Sequence, residues 1–250
     1  MHSSPVLSAA RIRHAAGTTI SPHAHGFGQL SVVTQGTMAV TTMSGTWLAP
    51  PGRGLWVPPG AEHAARYGEA SALVQIKIEA VQAGDLSAQC RVIEVGGLLR
   101  ELAAEAVRLS DGGDPEELAL VAALILRQVQ RPAPRLALFI PHGEDPRLRR
   151  VTEHLLAEPG DRGTIDDLAR MAGASPRTIA RLFLSETGMS FGRWRDHLRV
   201  TVAVERLVRG QSITETALDL GYQTASAFTT MFTRILGQPP GKLVRSLESG

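Results

Sequence analysis

Three histidines in the first part of the chain have the spacing of a metal-binding site. His23 and His25 are two residues apart, so on a β-strand their side chains would lie on the same face. His63 could supply a third imidazole from a neighbouring strand. Imidazole is a ligand of zinc, iron, nickel and copper. The spacing therefore predicts a divalent transition metal bound by His23, His25 and His63, with Gln29 as a fourth ligand.

The same residues allow a second interpretation, in which they line a pocket for an organic effector. A neutral amide such as that of Gln29 is a poorer metal ligand than a carboxylate, which favours this alternative. Trp47 and Trp56 would then form the walls of the pocket, and His63 would provide a polar contact. Large apolar side chains are more often part of a core, and the histidines could also only hydrogen-bond the surrounding strands.

Short strands are predicted to hold these histidines. β-rich, partly alternating runs separated by glycine and proline occupy residues 29–34, 37–43, 54–57 and 72–79. Runs of this length and spacing are typical of a small β-barrel or β-sandwich. We therefore expect a β-domain over residues 6 to about 80.

The residues around the histidines form two longer patterns. These are Gly17-x5-His23-x-His25-x3-Gln29-x6-Gly36 and Gly52-x5-Pro58-x-Gly60-x2-His63. Both resemble the two motifs of the cupin barrel. Gln29 stands where cupins usually have glutamate, and Tyr67 where an asparagine often ends the second motif. The resemblance implies that the predicted β-domain is a cupin-like barrel.

One pattern occurs twice in the last third of the chain, over residues 164–188 and 212–237. Each copy opens with a capping box, continues to a glycine that ends the helix, and starts a second helix at a polar N-cap. These residues are Thr164 with Asp167, Gly173 and Ser175-Pro176 in the first copy, and Ser212 with Glu215, Gly221 and Thr224 in the second. Helix, tight turn and helix in this order form the helix-turn-helix of DNA-binding proteins.

Apolar spacing predicts which faces of these helices are buried. The inward residues of the second helix in each copy are Ile179, Leu182 and Phe183, and Phe228, Met231 and Phe232. A further helix over residues 190–210, capped by Ser190, would join the two copies. Another, over about residues 146–157 with Asp145 as its N-cap, would pack beside the first copy.

The second copy has the more specific sequence. It contains Gly221-Tyr222-Gln223-Thr224, then Phe228, then Met231-Phe232, and ends in Gly237-Gln238-Pro239-Pro240. This run resembles the AraC/XylS family of bacterial transcription regulators, and the resemblance extends over about residues 146–247. The family pattern has a basic residue directly after the last phenylalanine. Here Thr233 occupies that place, and Arg234 follows it.

The resemblance implies that double-stranded promoter DNA is the main partner, with RNA polymerase as a further candidate. Outward residues near the start of each second helix would contact the bases or phosphates. They are Ser175, Arg177, Thr178 and Arg181 in the first copy, and Gln223, Thr224, Ala225, Ser226, Ala227 and Thr230 in the second. Arginine can donate two hydrogen bonds to guanine, whereas the second set would use thymine methyl contacts and hydroxyl groups.

Two amphipathic helices are predicted between the β-domain and the repeat. Their apolar stripes are Leu98, Leu99, Leu102, Ala106 and Leu109, followed after Asp114-Pro115 by Leu118, Val121, Leu124, Ile125 and Val129. These helices resemble the dimerisation helices of the family's sensor domains and thus imply a homodimer. Alternatively, they only cover the open side of the barrel.

These elements predict a two-domain α+β protein. Residues 1–130 would be a cupin-like sensor and dimerisation domain, residues 131–145 a proline-rich linker, and residues 146–250 an all-α domain with two helix-turn-helix motifs. A chain of 250 residues is long enough for two domains with separate cores. The predicted function is a transcription regulator that binds DNA in response to a small molecule or a metal.

Composition argues against other classes of protein. The net charge of +2 is too small for a non-specific DNA-architectural protein, although arginines are concentrated between residues 170 and 209. A single cysteine, Cys90, excludes an internal disulfide, and we expect neither a secretory signal nor a membrane span, so we expect a cytoplasmic protein. The remaining alternative is a metal-dependent cupin enzyme with an appended helical domain. No acid–base pair accompanies the histidines in the sequence, so we expect no enzyme.

Overall fold

A computed structural model of the chain describes residues 7–83, 86, 88–131 and 138–248. The chain forms two compact units. The first contains residues 1–42 and 47–137, and the second contains residues 43–46 and 138–250. Residues 132–137 of the predicted linker lie outside the described residues. Residues 138–141 of that linker form a strand, which the sequence analysis did not predict.

The first unit is built mainly from short antiparallel strands. Their bounds are β1 Leu7–His14, β2 Thr19–His23, β3 Gly28–Gln35, β4 Met38–Thr42, β5 Gly45–Ala49, β6 Arg53–Val57, β7 His63–Arg66, β8 Ser71–Ile78 and β9 Arg91–Glu94, and β10 in the second unit is Leu138–Pro141. One sheet has the order β1-β8-β3-β6-β9, and the other contains the order β5-β4-β7-β2. The four predicted strand segments correspond to β3, β4, β6 and β8. The predicted fold class is confirmed, with the β-domain formed as a two-sheet sandwich.

An apolar core fills the space between the two sheets. It includes Val33, Leu55 and Leu73 of the first sheet and Val40 and Ala65 of the second. Alternate residues of the first sheet point to its other face, because successive side chains of a strand alternate. That other face carries a second core, which the following helices cover.

The first unit also contains helices. The short α1, Ala80–Ala83, lies between β8 and β9, and α2 Gly97–Ser110 and α3 Pro115–Val129 follow β9. Asp114 caps α3 by accepting a hydrogen bond from the backbone N–H of Glu116, as its sequence predicts. Most of the predicted apolar stripes are buried against the first sheet. Leu98 and Leu124 are exceptions, with 53% and 47% of their surfaces exposed.

The second unit is helical apart from β10. Its helices are α4 Pro146–Ala157, α5 Ile165–Met171, α6 Pro176–Thr187, α7 Phe191–Val208, α8 Ile213–Asp219, α9 Ala225–Leu236 and α10 Pro240–Glu248. The predicted bounds of α4 are confirmed. None of the helices in the described part of the chain is long and apolar enough to cross a membrane.

Local capping chemistry determines where the helices of the repeat begin and end. Both predicted capping boxes are present, at Thr164 and at Ser212. Ser175, Ser190 and Thr224 cap α6, α7 and α9. The turn glycines have left-handed backbones, with φ of 68° at Gly173 and 82° at Gly221. Such a conformation strains any residue with a Cβ, so glycine is required there.

Buried aromatic side chains lie on the inward faces of α6, α7 and α9. In the first copy, the ring of Phe183 lies 5.5 Å from that of Trp194, whose indole N–H donates to the Pro141 carbonyl. In the second copy, Phe232 packs against Phe228 with ring centroids 5.5 Å apart. All four aromatic side chains are fully buried. The predicted inward faces of α6 and α9 are therefore confirmed.

Candidate metal centre and nucleic-acid interface

The structure brings the three predicted histidines together at the end of β2. His23 and His63 are opposite each other in the β2–β7 pair, and their ring centroids are 4.3 Å apart. His25 lies 5.0 Å from His63 by the same measure. One nitrogen from each ring lies within 4.8 Å of the corresponding atoms of the other two. His25 lies two residues beyond the end of β2, so the expectation that both His23 and His25 are on a strand is wrong for His25.

Backbone hydrogen bonds orient all three imidazoles in the same way. The Nδ1 atoms of His23, His25 and His63 lie 3.0, 2.6 and 2.9 Å from the carbonyl oxygens of Ser21, Phe27 and Ala61, respectively. A carbonyl can only accept, so each Nδ1 must carry the proton and donate it. The lone pair of each ring is then on Nε2. Histidines that bind metals are commonly fixed by this kind of hydrogen bond.

Burial favours the neutral, metal-binding state of His25 and His63. Burial is the main cause that lowers the pKa of His25 and of His63, and the neighbouring imidazoles lower both values further. The Nε2 atom of His25 is buried and has no hydrogen-bond partner among the described residues. A buried polar atom without a partner is costly, so an external ligand would stabilise it.

Phe27 and Lys77 also belong to this cluster, although the sequence analysis did not select them. The Phe27 ring is stacked on His25 with centroids 4.2 Å apart, and the Lys77 ammonium lies 5.0 Å from the Phe27 centroid. The charge of Lys77 contributes to the low pKa of His25. Lys77 is on β8, about 50 residues after His25, so no local sequence pattern places it in the cluster. Phe27 is only two residues after His25, and that proximity could have identified it.

Gln29 is buried on β3, and its amide donates to the Ser31 hydroxyl at 3.3 Å. This bond uses one of its two amide N–H groups and leaves its carbonyl oxygen for other contacts. Trp47 on β5 is partly buried and packs against the core between the sheets. Trp56 is fully buried in the core that α2 and α3 cover. Trp56 therefore belongs to a core, which is the alternative that the sequence analysis left open, and it points to the opposite face of its sheet from Leu55 and Val57. Its contact with an effector stays a prediction.

The DNA-binding residues predicted in the first copy lie at the start of α6. Ser175, Arg177 and Arg181 are exposed, and Thr178 is partly buried. The Ser175 hydroxyl accepts from the Thr178 backbone N–H, and the two hydroxyls lie 2.9 Å apart. Ser175 and Thr178 therefore shape the helix start, whereas the two arginines project from it.

The DNA-binding residues predicted in the second copy lie at the start of α9. Ala225 is partly buried, and the exposed residues are Gln223, Thr224, Ser226, Ala227 and Thr230. The Thr224 hydroxyl is the N-cap and accepts from the Ala227 N–H. The Thr230 hydroxyl donates to the Ser226 carbonyl at 3.0 Å. The predicted residues of α9 therefore present small polar and apolar groups, and none of them is positively charged.

Comparison with known proteins agrees with both parts of the structure. Residues 6–129 match the family described as AraC-like ligand binding domain, and residues 168–246 match a helix-turn-helix domain. The transcriptional regulator NimR of Escherichia coli is 31% identical over 229 residues, which cover 91% of this chain and 83% of NimR. The chain belongs to the AraC family of transcription regulators.

Other relatives of this AraC-family regulator match a smaller share of the chain or match it at lower identity. RipA of Corynebacterium glutamicum is 36% identical over 109 residues, which cover 44% of this chain and 30% of RipA. Among solved structures, ToxT of Vibrio cholerae aligns with 98% of this chain and 99% of its own, with a TM-score of 0.42 and 10% identity. NimR and RipA are both HTH-type transcriptional regulators.

Proposed function

We propose that this AraC-family regulator binds duplex DNA with both recognition helices, α6 and α9, in successive segments of the major groove. Two helix pairs of the same construction, each with its own caps, support this proposal. They are joined by α7, which has 18 residues and is therefore about 27 Å long. One turn of B-DNA is about 34 Å long, so helices joined in this way match the spacing of adjacent groove segments on one face.

The two recognition helices would contribute differently to sequence recognition. Arg177 and Arg181 are exposed and make no ion pair within the described residues, so both are available to DNA. Arginine is suited to guanine in the major groove. The surface of α9 offers the Ala227 methyl group and the Ser226 hydroxyl, which suit thymine methyl groups and polar base edges. We expect the half-site of α6 to contain guanine and the other half-site to be richer in thymine.

Substitution of Arg181 tests base recognition. The probe is a duplex selected from a random-sequence library with the wild-type chain. Arg181→Ala should weaken binding to this duplex by about 1–3 kcal/mol and should weaken binding to random DNA much less. Leu184→Ala on the same helix, where Leu184 is 64% exposed, is the matched control. An equal loss on selected and random DNA would show that Arg181 contacts phosphate only.

We also propose that the sensor domain responds to a divalent transition metal bound by His23, His25 and His63. The observation that supports this is the convergence of three imidazoles, each with Nδ1 bonded to a backbone carbonyl and Nε2 left as a ligand atom. Zinc–nitrogen bonds are about 2.0–2.1 Å long, so the rings would close slightly around an ion. Three protein ligands leave a coordination position open to water or to a small molecule.

Equilibrium binding of zinc, nickel, copper and iron(II) to the metal-free full chain tests the sensor proposal. We expect one ion per chain for at least one of these metals, and a higher melting temperature when it is bound. His63→Ala should abolish both effects. The matched control is His197→Ala, because His197 is on α7 in the other unit. A wild-type chain indifferent to all four metals would contradict the proposal and favour an organic effector.

We infer that α3 carries a homodimer interface. Leu120 and Leu124 are 69% and 47% exposed and lie one turn apart on this helix, so they form an apolar stripe on its outer face. An exposed stripe of this kind is typical of a contact surface. The double variant Leu120→Glu, Leu124→Glu should be a monomer by light scattering, whereas the wild type should be a dimer. The variant should keep the melting temperature of the first unit. A wild-type chain that is monomeric at high concentration would exclude this interface.

A further inference from the structure

Arg199, near the middle of α7, is buried although it carries a charge. Its exposed fraction is 7%. The Nε atom donates to the Pro159 carbonyl at 3.1 Å, and Nη2 donates to the Asp161 carbonyl at 2.7 Å. Both acceptors are in the loop of residues 158–164 between α4 and α5. Arg199 therefore binds the segment from which the first helix-turn-helix begins.

The same guanidinium also contacts the second helix-turn-helix. It lies 5.2 Å from the centroid of the Tyr222 ring, in cation–π geometry. Tyr222 directly follows Gly221, the left-handed glycine in the turn between α8 and α9. One side chain thus connects α7, the loop before the first motif and the turn of the second motif.

The loop and the turn also touch each other directly through their backbones. A Cβ atom placed on Gly160 would lie 2.3 Å from the Asp219 carbonyl oxygen. A Cβ atom on Gly221 would lie 2.5 Å from the Gly160 carbonyl oxygen. Neither position has room for a methyl group. Arg195, one turn before Arg199, adds a hydrogen bond to the Gly163 carbonyl at 2.9 Å.

We propose that Arg199 is a positioning residue that fixes the distance and angle between the two recognition helices. This inference rests on the proposal that both helices enter DNA. When two binding modules are joined rigidly, the second binds at an effective concentration set by the geometry of the connection. Loosening the connection lowers the affinity for a two-part site but leaves each module's own affinity unchanged. Because Arg199 is buried, it acts through the motifs and not through DNA contact.

The experiment compares two duplexes. One is selected from a random-sequence library with the wild-type full chain, and the other is the same duplex with one half scrambled. The wild type should prefer the intact duplex by about 100-fold or more. Arg199→Met should reduce this preference to less than about 10-fold, while binding to the half-scrambled duplex changes by less than about 3-fold. One base pair inserted between the halves of the intact duplex should also reduce the affinity of Arg199→Met less than it reduces that of the wild type.

Gly160→Ala is an independent variant, because its methyl group would push the loop away from the turn without removing a charge. It should reduce the preference in the same way. Two matched controls should keep the wild-type preference. Arg149→Met removes an exposed arginine whose ion pair is with Glu153 on the same helix. Gly192→Ala adds a methyl group on α7 where no atom lies within 4 Å.

The outcomes distinguish a failure of the positioning role of Arg199 from a failure of the proposal that both recognition helices bind DNA. A wild-type chain that binds both duplexes equally would overturn the two-helix proposal itself. A wild-type preference that Arg199→Met and Gly160→Ala both retain would overturn only the positioning role. If Arg199→Met does not unfold cooperatively, Arg199→Lys, which keeps the charge and the stem, takes its place. Arg199→Met, Gly160→Ala and Arg199→Lys could instead all lose binding to both duplexes and also lose their cooperative thermal transition. That result would show a purely structural role and would contradict the inference.

Discussion

Phe232→Ala should unfold the second helix-turn-helix before any other part of the helical unit. The side chain is fully buried, and its ring packs against Phe228 at 5.5 Å. Replacing a buried phenylalanine by alanine removes the apolar contact and leaves a cavity, which together cost about 3–5 kcal/mol. A domain has only about 5–15 kcal/mol of stability in total. The variant therefore loses a large part of the stability of its second motif.

Scanning calorimetry on the full chain provides the measurement. A loss of about 3–5 kcal/mol lowers the melting temperature of a unit of this size by roughly 12–20 °C. Phe183→Ala, at the matching position of the first copy, should lower it by a similar amount. Leu184→Ala is the control, since Leu184 is 64% exposed and its truncation should cost little. A Phe232→Ala transition within about 2 °C of the wild type would refute the placement of Phe232 in the core.

Three further predictions concern single sites. Ser212→Ala removes the hydroxyl that accepts from the Glu215 N–H and should cost about 1 kcal/mol in urea unfolding, whereas an unchanged midpoint would contradict the capping role. Because the pKa values of His25 and His63 are lowered, the zinc affinity measured by competition should stay constant from about pH 8 to 7 and fall only below about pH 6, and a fall that begins at pH 8 would contradict coordination by these neutral imidazoles. Burial raises the pKa of the Cys90 thiol to about 11, so a thiol reagent at pH 8 should label it about 100-fold more slowly than free cysteine, and complete labelling within minutes would show that it is exposed.

The helical half was predictable because its signals are local. A capping box, a turn glycine and an N-cap with proline lie within a few residues of each other, and each acts on its own helix end. Asp145-Pro146 therefore placed the start of α4, and Ser190 placed that of α7. The second copy of the pattern confirmed the positions found in the first.

Long-range pairing explains the features that the sequence analysis missed. β2, β7 and β9 are only four or five residues long, and they are stabilised by distant partners and not by their own composition. The sequence analysis left open whether Trp56 lines a pocket or belongs to a core, because the strand assignment did not fix which residues of β6 point between the sheets. The alternation of Leu55, Trp56 and Val57 contained this signal, since the residues on both sides of Trp56 face the inner core. The role of Arg199 depends on carbonyl groups about 40 residues away, which no local pattern records.

The histidine site is an intermediate case. The spacing of His23, His25 and His63 predicted that their rings would meet, and the structure places them together. The orientation of each ring depends on a carbonyl two residues away, which the sequence does not reveal. Occupation of the site by a metal stays a prediction.

The most direct test of the whole account measures how metal affects DNA binding. The affinity of the full chain for its selected duplex is measured by fluorescence anisotropy with a chelator and then with the metal that binds most tightly. The account predicts a change of about 10-fold or more in the wild type, and no change in His63→Ala, which should still bind the duplex. A wild-type affinity that is the same with and without each of the four metals would contradict the claim that the histidine site controls this regulator.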